Sequence, residues 1–300
     1  MYDVITFGSA VMDVFVDTDT AEKGKYMGYK VGSKILIKDL EFDIGGGGTN
    51  TAVAFSRLGM KTGYIGKIGD DESGRKILDL LKKEKIKFLG KIKQGAISGY
   101  SLILDSKEDN RTILTYKGIN NELGFDEIKL RKIKTKWIYY SSLLGKSLNT
   151  QKKLATILTQ KGVKFAFNPS DYLIKRINLK PFLKLCEVLI LNKEEAKMLT
   201  KNKDLLIGLH KLGPKIVVVT DKNKLISCYD SHNKKKYYLK PNKIKVVERT
   251  GAGDAFASGF VAGLIRNKSI MQSLKLGLRE SEGVIKHFGA KNNLLRMRLK

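Results

Sequence analysis

The chain has 300 residues and a mass of 33.6 kDa, enough for one large domain with a substantial buried core. Hydrophobic residues make up 42% of it and prolines number only 4, which excludes a disordered chain. No apolar run approaches the roughly 20 residues of a membrane span, and the N-terminus lacks the basic head of a secretory signal. We therefore expect a cytoplasmic protein with no membrane partner.

The charge is strongly positive: 57 Lys and Arg against 30 Asp and Glu give a net charge of +27. A field of this size could attract nucleic acid or anionic lipid. The basic residues are spread along the whole chain, however, and their clusters are not interleaved with aromatic residues as in a strand-binding surface. We expect a solvated basic surface without a specific nucleic-acid partner, and a functional polyanion site is the alternative.

Strand-like and helix-like segments alternate for most of the chain, which predicts an α/β fold with a mainly parallel sheet. Strands are predicted at 2–9, 62–68, 137–142, 164–168, 188–191 and 216–220. Helices are predicted at 48–58, after 69–71, and at 150–161, 193–199, 204–212, 253–267 and 269–286.

Two stretches interrupt this alternation. Residues 14–44 form short alternating pieces without a helix pattern, and residues 98–117 alternate around Glu108-Asp109-Asn110, which indicates a hairpin. We expect both stretches to build one small β-sheet that projects from a single domain of residues 1–300 as a lid over a cleft. The exposed edge of such a lid could pair across a two-fold axis and form a homodimer.

The strongest local signal is the sequence TGAGDAF at residues 250–256, between an extended segment and a long helix. Glycines let the backbone turn sharply, so that successive N–H groups can face an anion, and the helix N-terminus adds partial positive charge. Asp254 lies in the first helical turn, where it could accept a proton from a hydroxyl that attacks phosphorus. The alternative is a glycine-rich loop with an ordinary capping Asp.

A second glycine-rich segment, GGGGTN, occupies residues 45–50 directly before a predicted helix. Consecutive glycines allow a ligand to approach the backbone closely, and Asn50 offers both donors and acceptors to a polyol. No Lys-Ser/Thr follows, so the segment is not a Walker A loop, and the spacing of its glycines does not fit the dinucleotide fingerprint. A flexible loop is the alternative.

Polar residues follow two predicted strands at their carboxyl ends, where ligands of open α/β sheets collect. Asn192 and Glu195 follow the strand at 188–191 and could hold waters around a phosphate-bound Mg²⁺. Taken alone, this pattern favours a helix cap at Asn192 with glutamates in the first turn. Asp13 follows the first strand and could bind two sugar hydroxyls, although Asp is common in such turns.

Taken in order, these segments resemble the PfkB carbohydrate kinases over residues 8–289. The matching elements are Gly8 and Asp13, residues 45–50 with Arg57-Leu58-Gly59, residues 65–71, Asn168-Pro169, Asn192 with Glu195, and residues 250–256. The resemblance implies a ribokinase-like fold, with a Rossmann-like three-layer αβα core, a mainly parallel sheet and a small β lid. It also implies phosphoryl transfer from ATP to a hydroxymethyl group with Mg²⁺.

The resemblance further implies roles by position. Asp254 would be the general base, with Gly251, Ala252 and Gly253 as the anion hole. The substrate contacts would be Asp13, Gly45, Gly46, Gly47 and Asn50. Asn192 and Glu195 would organise Mg²⁺ and the phosphates, and Thr220 would lie beside the nucleotide.

The sequence departs from the family pattern before the TGAGD motif, where Glu248 and Arg249 replace the usual Asp-Thr. Because that Asp is often a cation ligand in the family, activation by a monovalent cation is doubtful. Thr220 is followed by Asp221 and Lys222 instead of Leu-Gly, so the nucleotide loop should differ in shape, and Lys222 could contact the phosphates.

The last helix also departs from the family, because it carries Arg279, Glu280 and Glu282 where small residues usually line the adenine. The nucleotide donor therefore stays open, with ATP as the expectation.

The acceptor also stays open. The family resemblance favours a free sugar of ribose or fructose size. A nucleoside would want an apolar wall for its base, and Phe15, Tyr100 and Tyr116 could supply one. Arg111 could instead bind a phosphate or carboxylate. A different class of function is a catalytically silent binding protein of the same fold, against which the intact Asp254 argues.

Overall fold

The structure is a computed structural model that describes residues 1–24, 26–107, 110–287 and 289–297. The strands are β1 (Tyr2–Phe7), β2 (Val11–Thr20), β3 (Glu22–Lys23), β4 (Tyr26–Met27), β5 (Asp39–Gly45), β6 (Thr62–Ile65), β7 (Lys67–Gly69), β8 (Lys87–Phe88), β9 (Lys91–Lys93), β10 (Gly99–Ser106), β11 (Arg111–Tyr116), β12 (Thr135–Ser141), β13 (Lys164–Asn168), β14 (Val188–Asn192), β15 (Ile216–Asp221), β16 (Leu225–Asp230) and β17 (Lys235–Leu239). The helices are α1 (Gly47–Arg57), α2 (Glu72–Lys83), α3 (Gly145–Gln160), α4 (Asp171–Arg176), α5 (Lys180–Leu183), α6 (Lys193–Leu199), α7 (Leu205–His210), α8 (Ala252–Ile265) and α9 (Ile270–Val284).

The central sheet has the strand order β17-β16-β15-β14-β13-β12-β1-β6-β8. The strands from β8 to β15 pair in parallel, and β16 and β17 extend one edge in antiparallel fashion. Continuous apolar runs such as that of β14 suit a parallel sheet that is buried on both faces. The predicted α/β class with a mainly parallel sheet is confirmed.

Helices cover both faces of this sheet and make three layers. On β1, Ile5 faces a core shared with α3, α6 and α7, whereas its neighbour Val4 faces a core shared with α1, α8 and α9. This alternation follows from the two-residue period of a strand. Phe165 and Phe260 are fully buried side chains of the two cores.

A separate four-stranded sheet has the order β11-β10-β2-β5. Its strands come from the two predicted stretches, except that β2 begins at Val11, before the expected start at 14. Asp13 therefore lies within a strand of this sheet and not in a turn after the first strand. One cross-strand row joins Thr115, Ser101, Asp13 and Asp43, and the neighbouring row on the opposite face joins Leu114 and Leu102 to the other two strands. The first row therefore lies on one face of the sheet and the apolar row on the other.

Several element predictions were wrong in detail. The strand expected at 62–68 is two strands, β6 and β7, and β7 belongs to a different sheet. The chain turns at Gly66, where the backbone of Gly90 packs so closely that a Cβ at Gly90 would lie 1.8 Å from the Gly66 carbonyl oxygen. The first turn of α3, the short helices α4 and α5, and the hairpin of β16 and β17 were not predicted. Of the expected hairpin turn, Glu108 and Asp109 lie outside the described residues.

Candidate active site

Helix α8 begins at a backbone that only glycine adopts easily. Gly251 has φ 78°, and a Cβ at this position would lie 2.5 Å from the Cβ of Ala290. The first amides of a helix lack partners within the helix and carry partial positive charge. The start of α8 is therefore suited to an anion, as the sequence predicts.

Asp254 is held by a chain of polar contacts. The Asn50 side-chain amide donates to Asp254 Oδ2 at 2.9 Å, and Lys291 Nζ lies 3.5 Å from Asn50 Oδ1. Burial raises the pKa of Asp254, while the Asn50 hydrogen bond and the Lys291 charge lower it. Sequence reasoning missed Lys291, which is 241 positions from Asn50 and belongs to no motif.

A small cavity of about 250 Å³ opens beside Asp254. Its polar side chains belong to Ser9, Asp13, Asn50, Ser101, Thr115, Lys117, Ser141, Ser142, Asn168, Ser170, Tyr172, Thr250 and Asp254. Gly46, Gly47 and Gly251 bring backbone to its surface. The structure thus brings together Asp13, Asn50 and Asp254 from three separate parts of the chain.

Asp13 is 6% exposed, and burial raises its pKa to about 6, against the opposing effects of Lys291 and of a Ser101 hydrogen bond. Gly45 does not line the small cavity but packs behind Asp13, and a Cβ there would lie 1.7 Å from Asp13 Oδ2. Gly46 has φ 97°, a conformation that disfavours any larger residue. These two glycines make room for the carboxylate and the turn.

A large cavity of about 780 Å³ lies on the other side of the start of α8. Its lining includes the predicted residues Asn192, Glu195, Thr220, Lys222, Ala252 and Gly253. Four cations, Lys222, Lys240, Lys243 and Arg249, also line it. Asn168 lines both cavities. Thr250, Gly251 and Asp254 line the small cavity, whereas Ala252 and Gly253 line the large one.

Asn192 and Glu195 form a capping box at the start of α6. Asn192 Oδ1 accepts from the Glu195 amide at 2.9 Å, and Glu195 Oε2 accepts from the Asn192 amide at 2.8 Å. Burial raises the pKa of Glu195 to about 7. Among the described residues no group of three or more His, Cys, Asp or Glu side chains could hold a metal. A lone carboxylate fits Mg²⁺ only if phosphate and water supply most of its oxygen ligands.

The loop after β15 places Lys222 at the large cavity with φ 46°. This left-handed backbone favours glycine, which the family pattern has at this position. On α9, only one of the three charged residues that depart from the family pattern lines the large cavity, and Arg279 is not among its lining residues. Of the charged residues there, Glu282 lines the cavity and is bound to Asn242 at 2.9 Å, whereas Glu280 is fully buried in the core.

Arg111 does not line the small cavity, contrary to the expectation that it could bind an acidic group of the substrate. Its guanidinium instead pairs with the carboxylate of Glu248. Glu248 also accepts from the amides of Thr250 at 3.1 Å and Gly289 at 2.8 Å. The edge of the four-stranded sheet is thereby tied to the loop before α8.

Comparison with models of protein families matches residues 1–296 to the pfkB family carbohydrate kinases. The chain belongs to the PfkB family. Among curated relatives of this PfkB kinase, an uncharacterized sugar kinase from Archaeoglobus fulgidus is 30% identical, over 81% of this chain and 99% of the relative. A ribokinase from Lactococcus lactis is 28% identical, over 98% of this chain and 94% of the relative.

The fold of the PfkB kinase is also that of solved structures. The adenosine kinase from Sinorhizobium meliloti superposes with a TM-score of 0.84 at 22% identity, covering 98% of this chain and 97% of that structure. By its family and its curated relatives, which also include a cytidine kinase from Thermococcus kodakarensis, the PfkB kinase is a phosphotransferase with an alcohol group as acceptor, of the sugar and nucleoside kinase type. No helix in the described part of the chain is long and apolar enough to cross a membrane.

Proposed function

We propose that this kinase transfers the γ-phosphoryl group of ATP to a hydroxymethyl group of a small sugar, with Asp254 as general base. The observation that carries the proposal is the position of Asp254 where the small and large cavities adjoin. A donor nucleotide in the large cavity and an acceptor in the small one would meet at the start of α8. This arrangement supports direct transfer between the two ligands.

In this reaction the ionised Asp254 takes the proton of the acceptor hydroxyl as its oxygen bonds to the γ-phosphorus. The bond between that phosphorus and the bridging oxygen breaks, and ADP leaves. Gly251, Ala252 and Gly253 would form the anion hole, because amides at the start of a helix suit the charge that develops on the phosphoryl oxygens. The Ala252 amide donates to the Arg249 carbonyl at 3.3 Å, a contact that an anion would replace. Asn50 keeps the carboxylate oriented through its 2.9 Å hydrogen bond.

The nucleotide phosphates would lie along Asn192, Thr220 and Lys222 in the large cavity. Glu195 would help to hold Mg²⁺ through water and phosphate oxygens, and the ion would neutralise phosphate charge during transfer. Its capping role does not exclude this one, because the capping box uses Oε2 as its acceptor.

A sugar fits the small cavity better than a nucleoside does. The cavity of about 250 Å³ is below the usual range of ligand sites, and Phe15, Tyr100 and Tyr116 do not line it. The Tyr100 hydroxyl instead bonds Ser73. The buried hydroxyls of Ser141 and Thr250 line the cavity without a partner among the described residues, which favours a ligand with several hydroxyl groups. Asp13, Gly46, Gly47 and Asn50 complete the substrate contacts, with Gly45 behind Asp13.

The test is ADP release with Mg-ATP against free sugars, sugar phosphates and nucleosides, with Asp254→Asn as the control. We expect a sugar-dependent signal that the variant loses by about 100-fold or more. A nucleoside as the preferred acceptor would refute the sugar assignment. No acceptor-dependent ADP from folded protein, together with salt-sensitive binding of DNA, would indicate a silent binding protein instead.

We also propose that the four-stranded sheet is a lid on a single domain and that its edges mediate a homodimer. It supplies Asp13, Ser101 and Thr115 to one face of the small cavity. Within the described part of the chain, β5 and β11 each pair on one side only, and Phe42 is 58% exposed on β5. Light scattering should give twice the monomer mass, and Phe42→Lys should halve it; a monomeric wild type contradicts the dimer.

We propose, finally, that activity does not require a monovalent cation. The carboxylate of Glu248 is already occupied by Arg111 and by two backbone amides. Replacing K⁺ by tetramethylammonium at constant ionic strength should leave kcat unchanged. A clear activation by K⁺ would contradict this assignment.

A further inference from the structure

The small cavity contains one cationic side chain among its lining residues, that of Lys117. Lys117 follows β11 and is half-buried, and its ammonium lies 4.8 Å from the ring centroid of Tyr172, another lining residue. Neither the activity of the family nor the roles proposed above for Asp254 and Asp13 uses this ammonium. Its chemistry should therefore bear on which acceptor enters.

The backbone of Lys117 is held firmly at the cavity wall. Its carbonyl accepts from the Asn120 side-chain amide at 2.9 Å. Asn120 is 2% exposed and also exchanges hydrogen bonds of 2.8 and 2.9 Å with the amide and carbonyl of Ala10. Because Ala10 lies directly before β2, the loop of Lys117 is fixed relative to the strand that carries Asp13.

The ammonium of Lys117 has no carboxylate within ion-pair distance among the residues that the structure describes. Burial lowers the pKa of Lys117, and Asp13 opposes this shift from beyond contact distance. A partly desolvated cation without a close counter-ion is costly, and a bound anion would offset that cost. The two other cations nearest the site are engaged: Lys291 with Asp43 and the Ile44 carbonyl, and Arg111 with Glu248.

We propose that the acceptor is a sugar acid, a polyol with one carboxylate that pairs with Lys117 while its hydroxymethyl group reaches Asp254. This inference rests on the kinase function proposed above and narrows its substrate class. One free ammonium balances one negative charge. A phosphate dianion would need further donors, typically an Arg or several cations, which the lining does not supply.

Lys117 is not among the charges that act on Asp254. Lys291 acts on both Asp254 and Asp13, whereas the charged group that acts on Lys117 is Asp13. Lys117 therefore does not serve to activate the base. It serves as a specificity residue, and its loss should change which acceptor is used more than it changes the chemical step.

The experiment compares aldonates with the matching alditols, because each pair differs only in a carboxylate against a hydroxymethyl group. D-gluconate with D-glucitol and D-ribonate with D-ribitol are titrated calorimetrically into the intact protein and then assayed by ADP release. D-fructose with D-fructose 6-phosphate forms the phosphate arm. We expect at least one acid to bind about 10- to 100-fold more tightly than its alditol.

The variant Lys117→Met should remove that preference and change alditol binding less than about threefold. Lys129→Met, at an exposed lysine outside the cavity, is the matched control and should behave like the wild type. Circular dichroism and thermal melting establish that both variants fold. Because Met keeps the length of the side chain, loss of acid binding would report the charge.

Three results would overturn the inference: alditols bound as tightly as the acids, a Lys117→Met variant weakened equally toward both, or fructose 6-phosphate preferred over all acids. Binding of neither acid up to roughly 10 mM would also overturn it. In any of these cases, ADP release from another sugar that Asp254→Asn abolishes would leave the kinase proposal standing. Acid binding without acid-dependent ADP release would also overturn the assignment of the acid as acceptor, whereas no ADP release with any acceptor would contradict the kinase proposal itself.

Discussion

Replacing Lys291 by Met tests the polar chain that holds the proposed base. The ammonium of Lys291 is buried, and it lies 3.2 Å from Asp43 Oδ2, 3.5 Å from Asn50 Oδ1 and close to the Ile44 carbonyl. Met has a similar length and no charge. The variant therefore removes these contacts while it keeps most of the packing volume.

The expected loss of stability follows from these contacts. Hydrogen bonds that involve a charged group contribute about 1.5–3 kcal/mol each, and the contact to Asp43 counts for less because that side chain is 35% exposed. The contact to Asn50 is at the 3.5 Å limit of a hydrogen bond and adds little, so the contact to the Ile44 carbonyl dominates. We therefore expect a loss of about 2–4 kcal/mol in the free energy of unfolding. In a chain of this size that corresponds to a decrease in Tm of about 5–10 °C.

The effect on catalysis should depend on pH. Lys291 lowers the pKa of Asp254, so its removal raises that pKa further above the ordinary value of a carboxyl. Asp254 must be ionised to accept a proton, and a larger fraction of it is protonated at low pH in the variant. The acid limb of kcat/KM should therefore move to higher pH. Activity should fall by about 10- to 100-fold near pH 6 and by less near pH 9.

The assay is steady-state ADP release from about pH 6 to about pH 9, beside urea unfolding of the same samples. Lys275→Met, at an exposed lysine of α9, is the control for removal of one positive charge from the surface. An equal loss of activity at every pH would refute the electrostatic role of Lys291. Unchanged activity and stability would refute the polar chain itself.

Three further substitutions probe the loops and carboxylates of the site. Gly251→Ala should lower the free energy of unfolding by about 2–4 kcal/mol in urea titrations, because the backbone has φ 78° and the new Cβ would meet Ala290. The control is Gly253→Ala, whose Cβ meets nothing within 4 Å and which should change the free energy of unfolding by less than about 1 kcal/mol. Glu195→Gln should keep the capping box and the Tm but lower activity at limiting Mg²⁺ by about tenfold. The exposed control Glu194→Gln should leave that activity unchanged, and a Glu195→Gln variant with a lower Tm but normal activity would indicate a purely structural residue. Burial raises the pKa of Asp13 to about 6, so the folded state favours its protonated form. The stability that this protonation contributes is complete below about pH 4 and is lost as pH rises through 6. Asp13→Asn should thus stabilise the protein by about 1–3 kcal/mol at about pH 8 but not near pH 4, and should abolish acceptor binding; equal stability at both pH values would contradict the burial of that charge.

The sequence alone was sufficient to predict the core strands of the central sheet and the position of the motif at the start of α8. The strand β13 was predicted with its observed bounds, because a continuous apolar run between turn residues has few alternatives. The glycines around Gly251 were informative because a positive φ restricts that position almost to glycine. Local patterns of this kind can be read from neighbouring residues alone.

Other residues of the site could not be predicted, because their partners are distant in the chain. Lys117 and Lys291 are two of 57 basic residues, and nothing near either of them marks it as buried. Arg111 was one alternative contact for a phosphate or carboxylate of the acceptor, whereas its charge is satisfied by Glu248, 137 positions away. Which lysine or arginine reaches the site is decided by packing between the two sheets, and no local pattern encodes it.

The contacts of Asn50 have a consequence for the synthesis of the protein. Asn50 bonds Asp254, 204 positions later in the chain, and lies beside Lys291, 241 positions later. A ribosome makes the glycine-rich loop and the strands around it long before the base and its lysine exist. Incomplete chains therefore lack the proposed base, and the contacts of Asn50 with Asp254 and Lys291 form only after nearly the whole α/β core has been made. We therefore expect phosphoryl transfer only from chains whose fold is complete.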